Sequence, residues 1–130
     1  MIVDSSVLVA MLWREAEGEG FGRAIAAERS PVMSAANYLE AGIVIDRDRN
    51  PALSAKLDAI IAELAIEIVP VTPEQAKIAR QAYRDFGKGS GHPAKLNFGD
   101  CFAYALAMER GEPLLYKGDD FVHVGLGRLV

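Results

Sequence analysis

Four short stretches of the sequence share one pattern, an acidic residue at the edge of an apolar segment. They contain Asp4, Glu40, Asp100 and the pair Asp119-Asp120. Carboxylates that lie close together raise one another's pKa, so a cluster of them calls for compensation, and divalent cations supply it. A site made only of oxygen ligands suits Mg²⁺ or Mn²⁺ rather than zinc. Because such ions activate water and stabilise a leaving oxygen, these residues favour metal-dependent phosphodiester hydrolysis.

Each acid also has a purely structural interpretation. Asp4 could bond the amides of a local turn, and Glu40 could lie on a solvated helix face. Asp100 opens an apolar helical run, where a carboxylate caps the unpaired N–H groups and meets the positive end of the helix dipole. Turn composition alone accounts for Asp119 and Asp120.

The scaffold predicted for these acids alternates strands with helices. We predict strands over 2–3, 32–34, 66–69 and 114–116, and helices over 7–12, 21–28, 35–46, 51–65, 73–86 and 100–110. Ser5 or Ser6 is the expected N-cap of the first helix, Gly18 to Gly20 are expected to break the helical pattern, and the tail from Val122 is expected to add an edge strand. This alternation predicts a single domain with a mainly parallel sheet covered by helices. Sites of such sheets lie at the carboxyl ends of the strands, so we expect the acids to meet there.

Composition narrows the class of protein. The chain has 130 residues, a net charge of −4 and 51% hydrophobic residues, which predicts one domain with a substantial core. The acidic balance argues against a protein that coats nucleic acid, but a metal-dependent nuclease has an acidic site in any case. No apolar run is long enough to span a bilayer, and no signal peptide is evident, so no membrane association is expected. A single cysteine, Cys101, suits a reducing cytoplasm.

The sequence resembles the PIN-domain ribonucleases, most closely the VapC-type toxins of type II toxin–antitoxin pairs. Four segments spanning nearly the whole chain carry the resemblance. They are the opening MIVDSS, the stretch MSAANYLEA around Glu40, the stretch LNFGDCFAYALA around Asp100, and LLYKGDDF. The resemblance implies a single PIN-like nuclease domain over residues 1–130, with a three-layer α/β/α sandwich around a mainly parallel sheet.

Residue by residue, the resemblance implies that Asp4, Glu40, Asp100 and Asp119 are the catalytic acids. Among these, Asp4, Asp100 and Asp119 would bind Mg²⁺ or Mn²⁺, while the adjacent Asp120 competes with Asp119 for the fourth position. The small polar residue that follows the first acid falls on Ser5, with Ser6 a weaker candidate. The resemblance also implies cleavage of RNA, such as tRNA or another structured RNA, a homodimer and a small cognate antitoxin. Basic residues near the candidate loops are suggested as RNA contacts, namely Lys88, Lys95 and Lys117.

Two other functions use acids at strand ends. One is aspartyl-phosphate chemistry, in a phosphatase or a receiver-like phosphoacceptor. A common hydrolase form of that chemistry places a second Asp two residues after the nucleophile, where this chain has Ser6, and a receiver requires paired acids where Asp4 is alone. The other is a non-catalytic module whose acidic rim docks a basic partner.

Overall fold

The central sheet has four parallel strands. The structure, a computed structural model, describes residues 1–126. Its strands are β1 (Ile2–Val3), β2 (Val32–Ser34), β3 (Glu67–Val69) and β4 (Leu114–Leu115), in the order β3-β2-β1-β4. The helices are α1 (Ser5–Leu12), α2 (Gly18–Ala26), α3 (Ala35–Asp46), α4 (Pro51–Glu63), α5 (Pro73–Phe86) and α6 (Phe98–Arg110), followed by a 3₁₀ helix (Asp120–Val124). None of the helices within residues 1–126 is long and apolar enough to cross a membrane.

Helices cover both faces of the sheet because successive strand residues point to opposite sides. Val3 packs into a core with residues of α1 to α4, whereas Ile2 packs into a second core with residues of α5 and α6. Leu114 and Leu115 of β4 divide between the two cores in the same way. The chain is therefore a three-layer α/β/α sandwich, and the predicted fold class is confirmed.

Helix boundaries follow the local capping chemistry. Ser34 accepts a hydrogen bond from the Ala36 N–H at 3.2 Å and begins α3. Thr72 accepts one from the Gln75 N–H at 3.1 Å, with Pro73 at the first position of α5. Both helices begin and end where the sequence predicts.

Four local predictions were wrong. The N-cap of α1 is Asp4 rather than Ser5 or Ser6, because its carboxylate accepts the hydrogen bond from the Ser6 N–H. The predicted break at 18–20 is instead the first turn of α2. A Cβ on Gly18 would lie 3.1 Å from the Ala10 carbonyl oxygen, so the glycine allows α1 and α2 to approach closely.

The other two wrong predictions concern the start of α6 and the C-terminal tail. Asp100 does not begin α6, because the N-cap is Asn97. The tail from Val122 does not form an edge strand within the described residues, since the 3₁₀ helix occupies that position up to Val124. The remainder of the predicted edge strand, residues 127–130, lies outside the described residues.

Candidate active site

Asp4 ends β1 and caps α1 with a buried carboxylate. Its Oδ2 atom accepts hydrogen bonds from the Ser6 N–H at 3.1 Å and the Ser6 hydroxyl at 2.5 Å. Its Oδ1 atom is buried and has no hydrogen-bond partner among residues 1–126. Only 3% of the residue is exposed, and a buried oxygen without a partner is costly. The geometry thus leaves one carboxylate oxygen of Asp4 available to a ligand.

Glu40 lies on the second turn of α3, and its carboxylate turns back toward the carboxyl ends of the strands. Its Oε1 atom accepts a hydrogen bond from the Ser5 hydroxyl and another from the Asn37 side-chain amide, the latter at 3.2 Å. Ser5 is the first residue of α1 and directly follows Asp4. Glu40 is therefore held against the segment that carries Asp4.

Asp100 lies in the first turn of α6, where it forms a capping box with Asn97. The Asn97 side chain accepts from the Asp100 N–H at 2.8 Å, and the Asp100 Oδ2 atom accepts from the Asn97 N–H at 3.0 Å. This reciprocal pairing satisfies two N–H groups at the helix start. It orients the Asp100 carboxylate through one oxygen and leaves the other outside the capping box.

The acids act on one another electrostatically. Burial, with a smaller contribution from Glu40, raises the pKa of Asp4 from 3.8 to about 6, against the opposing effect of the Ser6 hydrogen bonds. Burial also raises the pKa of Asp100 from 3.8 to about 7, and the charges of Asp4, Asp120 and Glu40 add to this rise. The structure thus brings Asp4, Glu40, Asp100 and Asp120 within electrostatic reach of one another.

Asp119 and Asp120 follow β4 and are both exposed. Asp120 begins the 3₁₀ helix, and its charge acts on Asp100. Asp119 occupies the N-cap position of that helix without a side-chain capping hydrogen bond, and it too interacts with another group of the chain. Asp120 therefore belongs to the acidic group around Asp100, and both acids stay candidates for the fourth position of the site.

The chemistry of this donor set fits a hard divalent cation. The acids present carboxylate oxygens, one of them buried without a partner, and none of Asp4, Glu40 and Asp100 forms an ion pair with a cationic side chain within residues 1–126. In the same part of the chain, no three histidine, cysteine or acidic side chains form a preformed metal-ligand group. In this arrangement Glu40 faces Ser5 and Asn37, while one oxygen of Asp100 faces Asn97. The residues therefore fit a Mg²⁺ or Mn²⁺ ion in their chemistry.

Comparison with models of known protein families identifies the family of this chain. The model described as "PIN domain" matches residues 1–126. The chain belongs to the PIN-domain family. Ribonuclease VapC28 of Mycobacterium tuberculosis is 52% identical to it over 128 residues, which cover 98% of this chain and 96% of the relative. Ribonuclease VapC42 of the same organism is 45% identical, covering 97% and 96%. Within the family, the chain falls among the VapC proteins.

Solved structures agree with this PIN fold. The crystal structure of Mycobacterium tuberculosis VapC20, described as a toxin that cleaves the sarcin-ricin loop, superposes with a TM-score of 0.76 at 18% identity. It covers 98% of this chain and 97% of its own. A toxin-antitoxin complex from Klebsiella pneumoniae gives a TM-score of 0.70 at 13% identity, covering 92% and 88%. At these identities the likeness shows the fold.

The predicted RNA-contact lysines have different surroundings in this PIN domain. Lys117 lies beside the site, and its ammonium group forms ion pairs with Glu15 and Glu17. Lys88 is exposed and lines a groove of about 560 Å³ between α5 and α6, beside Asn97. Lys95 is exposed and has a positive φ of 51°. Of the three, Lys117 is the one whose ammonium group is paired with acids within the described residues.

Sequence reasoning missed two residues of the site, Asn37 and Gly99. Asn37 is fully buried and bonds both Glu40 and the Gly99 carbonyl oxygen. A Cβ on Gly99 would overlap the Glu40 carboxylate, so any larger residue there would force that carboxylate to move. The available signals were the spacing of three residues from Asn37 to Glu40 and the position of Gly99 directly before Asp100. Ser6 was ranked below Ser5, although Ser6 is the residue that bonds Asp4.

Proposed function

We propose that this protein is a Mg²⁺- or Mn²⁺-dependent endoribonuclease that acts as the toxin of a toxin–antitoxin pair. The observation that carries the proposal is its place in the PIN-domain family, together with a relative named a ribonuclease that is 52% identical over nearly the whole chain. The site supports it, since Asp4, Glu40, Asp100 and Asp120 act on one another at the carboxyl edge of the sheet. We propose that the nuclease domain occupies residues 1–130.

Each site residue has a proposed role. Asp4, Asp100 and either Asp119 or Asp120 would hold the cation, and Glu40, the remaining catalytic acid, would ligate the ion or orient the attacking water. When bound, the ion would supply an activated water and stabilise the leaving oxygen of the phosphodiester. Ser5 orients Glu40 through its hydroxyl, and Ser6 orients Asp4. Hydrolysis breaks one P–O bond and adds the elements of water across it.

RNA is the proposed substrate, and tRNA or another structured RNA is the expected class. Lys88 and Lys95 are proposed to contact the phosphate backbone, since both are exposed. Lys117 is proposed to contribute less, because Glu15 and Glu17 already neutralise it. The net charge of −4 means that such contacts must be local, as broad phosphate neutralisation requires a basic protein.

The proposed protein partners are a small cognate antitoxin and a second copy of the chain. The antitoxin is supported by the VapC relatives and by the Klebsiella pneumoniae neighbour, which is a toxin-antitoxin complex. The homodimer is supported by large apolar side chains exposed beside the site, with Leu39 and Phe98 exposed by 61% and 79%. We propose the cytoplasm as the compartment, since Cys101 is a buried free thiol.

The decisive experiment measures RNA cleavage by the purified protein with Mg²⁺ or Mn²⁺, with and without EDTA. We expect cleavage that EDTA abolishes, and no cleavage by Asp4→Asn or Asp100→Asn variants that retain the wild-type circular dichroism spectrum. Cleavage by both variants at the wild-type rate, or cleavage that EDTA leaves unchanged, would contradict the proposal. Covalent labelling of Asp4 by a phosphate analogue would favour aspartyl-phosphate chemistry instead.

The toxin role has a separate test. We expect expression of the chain to arrest growth, and co-expression of an adjacent small gene to restore it. The Asp4→Asn variant should permit growth without that gene. Growth arrest by Asp4→Asn equal to that by the wild type would contradict a toxic activity that depends on this site.

A further inference from the structure

Asn37 is a fully buried amide in the middle of the site, although it is not an acid and does not face solvent. Its Nδ2 group donates to the Glu40 Oε1 atom at 3.2 Å and to the Gly99 carbonyl oxygen at 3.0 Å. The first contact lies within α3. The second reaches the first turn of α6, 62 residues further along the chain. One side chain thus connects the Glu40 carboxylate with the turn that carries Asp100.

Gly99 supplies the second half of this arrangement. Any side chain there would overlap the Glu40 carboxylate, so α6 lies directly against that carboxylate through a bare backbone. The Gly99 carbonyl and the Glu40 carboxylate are both acceptors and repel each other unless a donor lies between them. The two N–H groups of the Asn37 amide provide that donor.

We propose that Asn37 is a positioning residue for the nuclease site. Its amide holds the Glu40 carboxylate and the first turn of α6 in one fixed relative geometry, so that Glu40 and Asp100 face the same ligand. The inference rests on the proposed function for its catalytic consequence, but the geometry that it describes does not require RNA.

Aspartate, leucine and serine each lack the pair of amide N–H groups that Asn37 supplies. Aspartate has the same shape, yet at neutral pH it offers no donor and would add a charge beside Glu40. Leucine would fill the volume and leave the Gly99 carbonyl without this partner. Serine has one hydroxyl proton and could serve only one of the two acceptors. Without Asn37, the Ser5 hydroxyl would still hold the Glu40 carboxylate.

The test is a double-mutant cycle of Asn37→Ala and Glu40→Gln. Mn²⁺ alone is titrated calorimetrically into each variant, and RNA cleavage is measured separately. We expect Asn37→Ala to weaken Mn²⁺ affinity and kcat by about 10- to 100-fold, the usual effect of removing a residue that orients a ligand. We expect it to cause a much smaller further loss when Glu40 is already Gln, because most of its effect passes through that carboxylate. An equal loss in both backgrounds would refute the proposal.

Gln75→Ala is the matched control. Gln75 is also a buried amide, 4% exposed, and its Nε2 group donates to the Glu109 carboxylate at 2.9 Å, connecting α5 with α6 away from the acids. It should lower the melting temperature comparably while leaving Mn²⁺ affinity and kcat unchanged. Should Gln75→Ala weaken Mn²⁺ binding as much as Asn37→Ala does, the effect is general destabilisation and the proposal is wrong.

Two further outcomes separate this inference from the proposed function. If the mutant cycle shows the expected non-additivity in Mn²⁺ binding but the wild type cuts no RNA, the ribonuclease proposal fails and the positioning role stands. If Asn37→Ala does not fold, Asn37→Ser takes its place in the cycle with a smaller expected loss. A crystal structure of the folded variant completes the test, because a Glu40 carboxylate unmoved over Gly99 would overturn the proposal whatever the kinetics.

Discussion

Asp4→Asn is expected to remove much of the pH dependence of stability from the metal-free protein. The pKa of Asp4 rises from 3.8 to about 6 in the folded chain, chiefly through burial, so the folded state holds this proton more tightly than the unfolded state. Stability is then lost as the pH rises from about 4 to about 6, and it remains lost above that range. Two pKa values that differ this much correspond to about 3 kcal/mol.

This loss of unfolding free energy is large compared with the total stability of a domain, which is typically about 5–15 kcal/mol. Asparagine has the same shape and keeps an oxygen for the two Ser6 hydrogen bonds, but it does not ionise. It also removes a charge that raises the pKa of Asp100, so the second acid should contribute less pH dependence in the variant. The difference between the two proteins is therefore expected to be at least about 3 kcal/mol.

Urea denaturation in EDTA at about pH 3 and about pH 8 measures this difference. The quantity compared is the change in the free energy of unfolding between the two pH values. This comparison cancels every pH-independent effect of the substitution, including the cost of burying an amide N–H. Asp48→Asn, an exposed acid after α3, is the control and should follow the wild type. Adding Mn²⁺ at about 100 times its Kd should restore about 2.7 kcal/mol to the wild type at high pH and little to Asp4→Asn.

An equal loss of stability between the two pH values in the wild type and in Asp4→Asn would refute the predicted role of Asp4. It would mean that Asp4 keeps an ordinary pKa in the folded chain, and hence that its Oδ1 atom is solvated. A variant that loses more stability than the wild type between the two pH values would refute it equally, since the sign would be reversed.

Three other predictions concern separate parts of the molecule. Asp120→Asn should lower kcat/KM for RNA more than Asp119→Asn does, because the Asp120 charge reaches Asp100, and equal losses would leave no preference between the pair. Burial raises the pKa of the Cys101 thiol from 9.0 to about 11, so native protein should react with a thiol reagent about 100-fold more slowly than urea-unfolded protein, and equal rates would contradict this. Lys88→Ala should raise KM for RNA, leave kcat unchanged and reduce the salt dependence of binding by about one phosphate contact, whereas a loss in kcat alone would place Lys88 in the chemistry.

The fold was predictable where local chemistry decides the structure. The helix over 35–46 begins at a serine cap and the helix over 73–86 at a threonine cap followed by proline, and these signals act within one turn. The start of α2 was not predictable, because glycine at position 18 normally ends a helical pattern. Here a Cβ on Gly18 would lie 3.1 Å from the Ala10 carbonyl oxygen in α1. That close approach is a tertiary contact, which no local pattern reports.

In the candidate site, too, some residues could be predicted from the sequence and others depend on contacts formed only on folding. Its acids stand at the ends of apolar segments, so their types and positions could be read from the sequence. Asn37 could not, because it lies within an apolar helix and its partners come from Glu40 and from Gly99 in another helix. Its role depends on two acceptors that meet only after folding. The choice between Asp119 and Asp120 likewise depends on which side chain approaches Asp100, not on the turn that contains both.

Two of the site acids also stabilise helix starts, and this double role explains how the fold tolerates them. Asp4 caps α1 and Asp100 completes the capping box of α6, so each carboxylate lies at the positive end of a helix dipole. Such a placement contributes about 0.3–1 kcal/mol, and up to about 2 kcal/mol where the group is partly buried. The pKa of Asp4 nevertheless remains near 6, so the helix start offsets only part of the cost of its ionisation. The part left over favours binding of a divalent cation, because neutralising the carboxylates recovers free energy that the folded chain alone cannot recover.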